Sequence, residues 1–203
     1  MTSLLVKSEQ MPLSIDLSSL TTLPKMSDQQ FYNFCRTNPD LRIERNTNGE
    51  IIVMPPAFSG TGNRNGRIFG QLFVWSEADA TGEVFDSSSG FTLPNGATRS
   101  PDTAWILSDR WNALQPEQQA SFAPIAPDFV VELRSSSDTL ASLKEKMEEY
   151  IANGVRLGLL IDRKNYQVHV YRPNQPSEIL DNSKSVSCEP EMSEFALKMA
   201  RIW

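Results

Sequence analysis

The sequence predicts an α+β fold, a central mixed β-sheet with a helix on either side. Three observations carry that reading. Short segments such as Leu41-Arg42-Ile43-Glu44-Arg45 alternate apolar and polar residues. Two longer stretches, Asn65 to Ala80 and Thr139 to Asn153, repeat apolar residues at helical spacing. Between them, Asp128-Phe129-Val130-Val131-Glu132-Leu133-Arg134 is apolar enough to be a central strand.

The elements follow in order. Residues 1–26 are rich in Ser and Thr and broken by Pro12 and Pro24, so they are expected to be an extension ahead of a single domain spanning 27–203. Ser27 can cap a first helix, with Gln30 placed as in a capping box and Phe31, Phe34 and Cys35 on one face. Residues 41–45 and 50–54 form a hairpin about Asn46-Thr47-Asn48-Gly49. Residues 57–66 are rich in Gly, Ser and Asn and are expected to be a mobile loop. They lack the Gly-Lys-Ser/Thr ending of a phosphate loop. The helix from Asn65 stops at Gly82. Short strands are expected at Val84-Phe85, Phe91-Leu93 and Ser100-Leu107, then a polar excursion over 108–126. After the central strand and the helix that stops at Gly154 come two strands, Leu157-Asp162 and Gln167-Arg172. The apolar end, Phe195 to Trp203, either seals the core or pairs with a second subunit as a homodimer.

Composition narrows the function. The 203 residues carry 19 basic and 25 acidic side chains, a formal charge of 19 − 25 = −6, with 39% hydrophobic and 22% charged residues. That is ordinary globular composition, with enough chain for one core. A pI near 4.9 works against non-specific adhesion to DNA or an anionic membrane, although bound cations can supply positive charge locally. Two distant cysteines, Cys35 and Cys188, read as inert reduced thiols. One histidine, His169, excludes sites that need two. Its alternation with Val168 and Val170 points it away from them, exposed or paired. No apolar run of membrane-spanning length and no signal-peptide pattern is present, so a cytoplasmic location is expected.

The chemistry lies in three pieces: Ser100-Pro101-Asp102, then Asp128 to Arg134, then Lys146 on the following helix. Carboxylates on two neighbouring strands can converge on one face, and Asp128 shares a face with Glu132. A carboxylate directly after Phe129-Val130-Val131 is costly unless a cation or a basic partner compensates it. Arg134 is the obvious protein partner. Mg²⁺ or Mn²⁺ suits the set, with one or two carboxylates and water in the remaining positions. Lys146 and Tyr150 share a helix face, and if that face borders the sheet the ammonium reaches the acids. The bland alternative is a turn aspartate, an ion-paired strand glutamate and a solvated lysine.

These residues, with Leu41-Arg42-Ile43-Glu44, Asn48 to Pro55, Pro127 to Leu133, Lys146-x-x-x-Tyr150 and Leu159-Leu160-Ile161-Asp162 followed by Val168 to Arg172, resemble the Uma2 family of restriction-endonuclease-like proteins in the PD-(D/E)XK nuclease superfamily. The resemblance covers roughly residues 27–172. It implies a restriction endonuclease-like core in which Asp102 and Glu132 hold a divalent metal, the backbone carbonyl of Leu133 completes the protein ligands, and Lys146 is the catalytic lysine. The plain motif places its lysine where this chain has Arg134, so the lysine would have moved to the helix. Glu44 matches the glutamate of the family's hairpin and is a further candidate at the metal site, as is Asp128. Family members often carry a histidine after the Met-Pro segment; here stand Asn63 and Asn65. Of Arg64, Arg67, Arg99, Arg110 and Arg134, Arg99 is best placed to bind phosphate. The four tryptophans read as core or interface anchors.

The expected function is therefore Mg²⁺-dependent hydrolysis of DNA phosphodiester bonds. The rivals are a nuclease-fold protein with weak or no activity in a binding or regulatory role, favoured by the acidic charge, and a glycoside hydrolase using two of the same acids.

Overall fold

The computed structural model describes residues 26–203 throughout and, before them, only the backbone of two paired strands, β1 (Ser3–Ser8) and β2 (Met11–Asp16). The side chains and placement of that hairpin lie outside the described residues, as does the rest of the expected extension.

Helix α1 (Asp28–Thr37) begins with the expected capping box: the Ser27 hydroxyl accepts from Gln30 N–H, and the Gln30 side chain accepts from Ser27 N–H. Its Phe31 and Phe34 bury against Met26 and Ile43. The hairpin β3 (Arg42–Arg45) and β4 (Ile51–Met54) follows. With β6 (Phe91–Thr92) and β7 (Thr98–Arg99) it makes a four-stranded sheet in the order β4-β3-β7-β6.

The main sheet has six strands. Four of them are β5 (Gly82–Asp86), β8 (Thr103–Leu107), β9 (Phe129–Leu133) and β10 (Leu157–Asp162). Strands β11 (Gln167–Tyr171) and β12 (Glu178–Asp181) complete the order β12-β11-β10-β9-β8-β5. Only β9 and β10 pair in parallel. A parallel pair needs a crossover, and the residues between them supply helix α5 (Leu140–Ala152). Thr139 caps α5 through its side chain, Leu143, Met147 and Tyr150 bury, and Gly154 takes φ +104° just past the end.

Strand alternation assigns the two faces. Trp105, Phe129, Val131, Leu133 and Leu159 pack with Ile68 and Leu72 of α2 (Ser59–Asp79). Ala104, Ile106, Val130 and Leu160 pack with Leu143, Met147 and Tyr150 of α5. The polar excursion folds into α3 (Ser108–Asn112) and α4 (Pro116–Gln119). The C-terminal residues seal the α2 side of the core: β13 (Ser185–Ser187) pairs with β14 (Ala196–Lys198), and Phe195, Leu197 and Ile202 are buried. Trp105 is a core residue whose indole N–H donates to Ser76 Oγ. Cys35 and Cys188 are free thiols, and burial pushes them up to about 11 and about 12, so both are inert at neutral pH.

Two expectations are corrected. Residues 59–66 are not a loop but the first turns of α2. Each glycine costs about 1 kcal/mol of helix propensity relative to alanine. Tertiary bonds offset that cost: the Arg64 guanidinium donates to Ile202 O, and Asn65 donates to Asp102. His169 is neither exposed nor paired. It is 1% exposed, and among the described residues neither ring nitrogen meets a hydrogen-bond partner.

Candidate active site

The register of the main sheet creates the site. Thr103 stands opposite Val131 in the antiparallel β8–β9 pair. Asp102, just before Thr103, and Glu132, just after Val131, therefore lie at the same end of the two strands. Asp102 Oδ2 accepts from Leu133 N–H at 2.9 Å, which locks the carboxylate to the end of β9. Its Oδ1 accepts from Asn65 Nδ2 at 3.0 Å and lies 3.6 Å from the Arg42 guanidinium.

Helix α5 lays Lys146 and Tyr150 over Glu132. The Lys146 ammonium is 2.8 Å from Glu132 Oε1, and the Tyr150 hydroxyl donates to the same oxygen at 3.0 Å. Both contacts fall on Oε1, which leaves Oε2 as the oxygen open to a cation. Lys146 also donates to Glu44 Oε1 at 2.9 Å. Glu44, from β3, accepts further bonds from Ser100 N–H and Arg99, and Arg99 in turn donates to Glu149 of α5 at 2.6 Å. Four carboxylates (Glu44, Asp102, Glu132, Glu149) thus meet three cations (Arg42, Arg99, Lys146).

Electrostatics follow from that imbalance. Burial pushes Glu132 up to about 7, against the pull of Lys146 and with help from the Asp102 and Glu44 charges. Burial also opposes ionisation of Glu44, but Lys146, Arg99 and Ser100 N–H outweigh it and hold that carboxyl below its ordinary value. Burial disfavours the Lys146 ammonium too, yet its two carboxylates overcome that and keep it protonated well above the usual lysine range. Lys146 is therefore an ammonium at neutral pH, a donor and not a base.

Asp102, Glu132, Leu133 and Lys146 line one cavity of about 130 Å³, with Arg42, Asn65 and Phe58. The surplus negative charge, the free Glu132 oxygen and the hard oxygen donors fit Mg²⁺ or Mn²⁺ held by two carboxylates and water. Among the described residues no three His, Cys, Asp or Glu side chains gather to hold an ion by themselves. Glu44 stands with Lys146, its oxygens already engaged. A groove of about 690 Å³ between Trp75 of α2 and Phe195 lacks these acids and Lys146.

Other expected site residues go elsewhere. Asp128 shares a sheet face with Glu132 but lies at the opposite end of β9, about 13 Å away at 3.3 Å per residue. There it binds Leu107 N–H, Arg110 and Arg156. Arg134 pairs with Asp162, not Glu132. Arg99 is enclosed between Glu44 and Glu149. Sequence reasoning missed Arg42 and Asn65 as cavity residues. Arg42 precedes Glu44 by two on the same strand, so its orientation toward the site was readable. Asn65 lay hidden in a stretch read as loop.

The model of the Uma2 family, described as a putative restriction endonuclease, matches residues 28–200. A similar solved structure is that of a putative nuclease belonging to DUF820 from Anabaena variabilis ATCC 29413. It has a TM-score of 0.68 and 19% identity, over 89% of this chain and 92% of that one. No curated protein matches. The fold is thus of the restriction endonuclease-like class. The chain belongs to the Uma2 family.

Two buried groups of opposite sign make stability depend on pH. Burial, then the Lys144 charge, holds His169 below its ordinary value, against Asp162 and Asp181. Below pH ~6.5 the unfolded chain takes a proton that buried His169 refuses, so stability falls with falling pH, by up to ~1.4 kcal/mol per pH unit. Glu132 acts oppositely: between ~4.5 and its raised value the folded state holds the extra proton, so stability falls as pH rises. The difference between wild type and His169→Leu isolates the first effect. In urea melts from about pH 5 to 7.5, the wild type should lose stability relative to His169→Leu on acidification; parallel curves would show that His169 titrates normally.

Proposed function

We propose that the protein is a Mg²⁺-dependent endonuclease that hydrolyses phosphodiester bonds of DNA. The observation that carries this is the meeting of Asp102, Glu132 and the Lys146 ammonium at one cavity. Asp102 and Glu132 would hold the ion, with the Leu133 carbonyl completing the protein ligands. Bound there, Mg²⁺ supplies an acidified water and offsets charge on the phosphoryl oxygens. Lys146, held protonated between Glu132 and Glu44, stabilises negative charge as it develops. Tyr150 fixes the Glu132 carboxylate from behind. Arg42 takes the phosphate role first given to Arg99. Its side chain lines the cavity and is 28% exposed.

A second reading is supported by the formal charge of −6 and the enclosure of Arg99: a nuclease-fold protein with weak or no activity in a binding or regulatory role. Nicking of supercoiled plasmid with Mg²⁺, EDTA and added-back Mg²⁺, alongside calorimetry with Mn²⁺, separates the two. The nuclease reading expects metal binding and EDTA-reversible nicking that weakens as salt rises. Absence of nicking selects the second reading, and no metal binding at millimolar ion sinks the nuclease reading.

A further inference from the structure

Phe58 is 71% exposed, and it lines the same cavity as Asp102, Glu132 and Lys146. Two other aromatic rings are exposed, and each leans on a neighbour: Phe73 stacks on Phe69, and Tyr166 tilts against Trp203. Among the described residues no aromatic ring meets Phe58. The local sequence holds the ring out. Phe58 is the N-cap of α2, where Ser, Thr, Asp or Asn would bond to the helix through the side chain, and Phe forfeits that bond. Its backbone is nonetheless fixed: Phe58 O accepts from Gly62 N–H at 2.9 Å, and Pro55-Pro56 stiffen the approach. An aromatic side chain on a fixed backbone loses little freedom when it is bound.

The cavity says what meets the ring. A volume of about 130 Å³ is too small for a whole nucleotide, so a phosphate that enters leaves its base at the mouth, beside Phe58. Every base has a π face, and stacking needs no basic surface, which suits a chain of formal charge −6. In a duplex that face is covered by the neighbouring bases; in a single strand it is free. We propose that the Phe58 ring is a stacking platform for the base next to the scissile phosphate, and that the protein acts on single-stranded DNA. The inference deepens the phosphodiesterase reading above and rests on it for the phosphate. Negatively supercoiled plasmid, whose duplex opens locally, stays a substrate.

The test measures binding apart from cleavage, by fluorescence anisotropy of a labelled oligothymidylate and of a matched duplex, with Ca²⁺ in place of Mg²⁺. The wild type should prefer the single strand. Phe58→Ala should weaken single-strand binding about tenfold. Phe58→Tyr keeps the π face and should bind as the wild type does. Phe58→Leu keeps apolar area without that face and should bind as Phe58→Ala does. Unchanged single-strand affinity in Phe58→Ala, or a wild type that prefers the duplex, overturns the platform, and the hydrolase reading then stands if plasmid is nicked. A wild-type dimer that Phe58→Ala turns into a monomer gives the ring to a second copy and overturns the platform too. Single-strand binding through Phe58 with no cleavage keeps the platform and sinks the hydrolase reading instead.

Discussion

Lys146→Met is expected to destabilise the protein by about 3–5 kcal/mol, because it leaves two buried carboxylates without their shared cation. Lys146 touches Glu132 at 2.8 Å and Glu44 at 2.9 Å, and both acids are almost wholly enclosed. For a chain of this length each kcal/mol moves the melting temperature by about 2–4 °C, so a fall of about 10 °C is expected. The deficit should grow with pH. Without Lys146 the Glu132 carboxyl rises further above its unfolded value, and stability is lost as pH climbs through that window. Adding Glu132→Gln should return much of the loss, since the amide carries no charge to bury. Calorimetric melts of the single and double variants at about pH 5 and pH 8 test this. A single variant melting within about 2 °C of wild type at the higher pH would show that Lys146 does not neutralise the pair.

The largest effect on activity is expected at the paired acids. Asp102→Asn and Glu132→Gln should each lower metal-dependent cleavage by about a thousandfold or more and remove most Mn²⁺ binding heat. Neither should unfold the protein. Glu132→Gln removes a charge that burial already disfavours, and Tyr150 can still donate to its amide oxygen. Asp102→Asn keeps an oxygen to accept from Leu133 N–H. Loss of activity with an intact melt therefore reports on the site and not on folding. Wild-type rates in both variants would remove the metal assignment, leaving the fold unaffected.

The β3–β4 hairpin, the strands β8 to β11 of the main sheet, α1 and α5 were legible because their signals are local. The Ser27 capping box, the alternation of β3, the apolar run of β9 and the 3.6-residue stripe of α5 each sit within about 15 residues of chain. The candidate acids and lysine were legible for a related reason. A carboxylate in an apolar strand demands a partner whatever the tertiary structure.

Which partner it takes was not local. Arg134, two residues from Glu132, went to Asp162, while the ammonium came from Lys146 on the next helix. Arg99, read from the sequence as best placed to bind phosphate, is held by Glu44 from the neighbouring strand of its own sheet and by Glu149 from α5. Asp128 alternates correctly with Glu132, yet alternation reports the face of a strand and not the distance along it.

By itself, then, the chain determined α1, α5, the hairpin of β3 and β4, the central strand and the acids that burial would force to find a cation. Only the tertiary structure decided that Glu44 neutralises Lys146 and Arg99, that glycines 60, 62 and 66 wind into a helix, and that Asn65 reaches Asp102. The reason is physical. Periodicity is set by neighbours a few residues away, whereas an ion pair or a costly helical turn is settled by groups that meet only when distant segments pack.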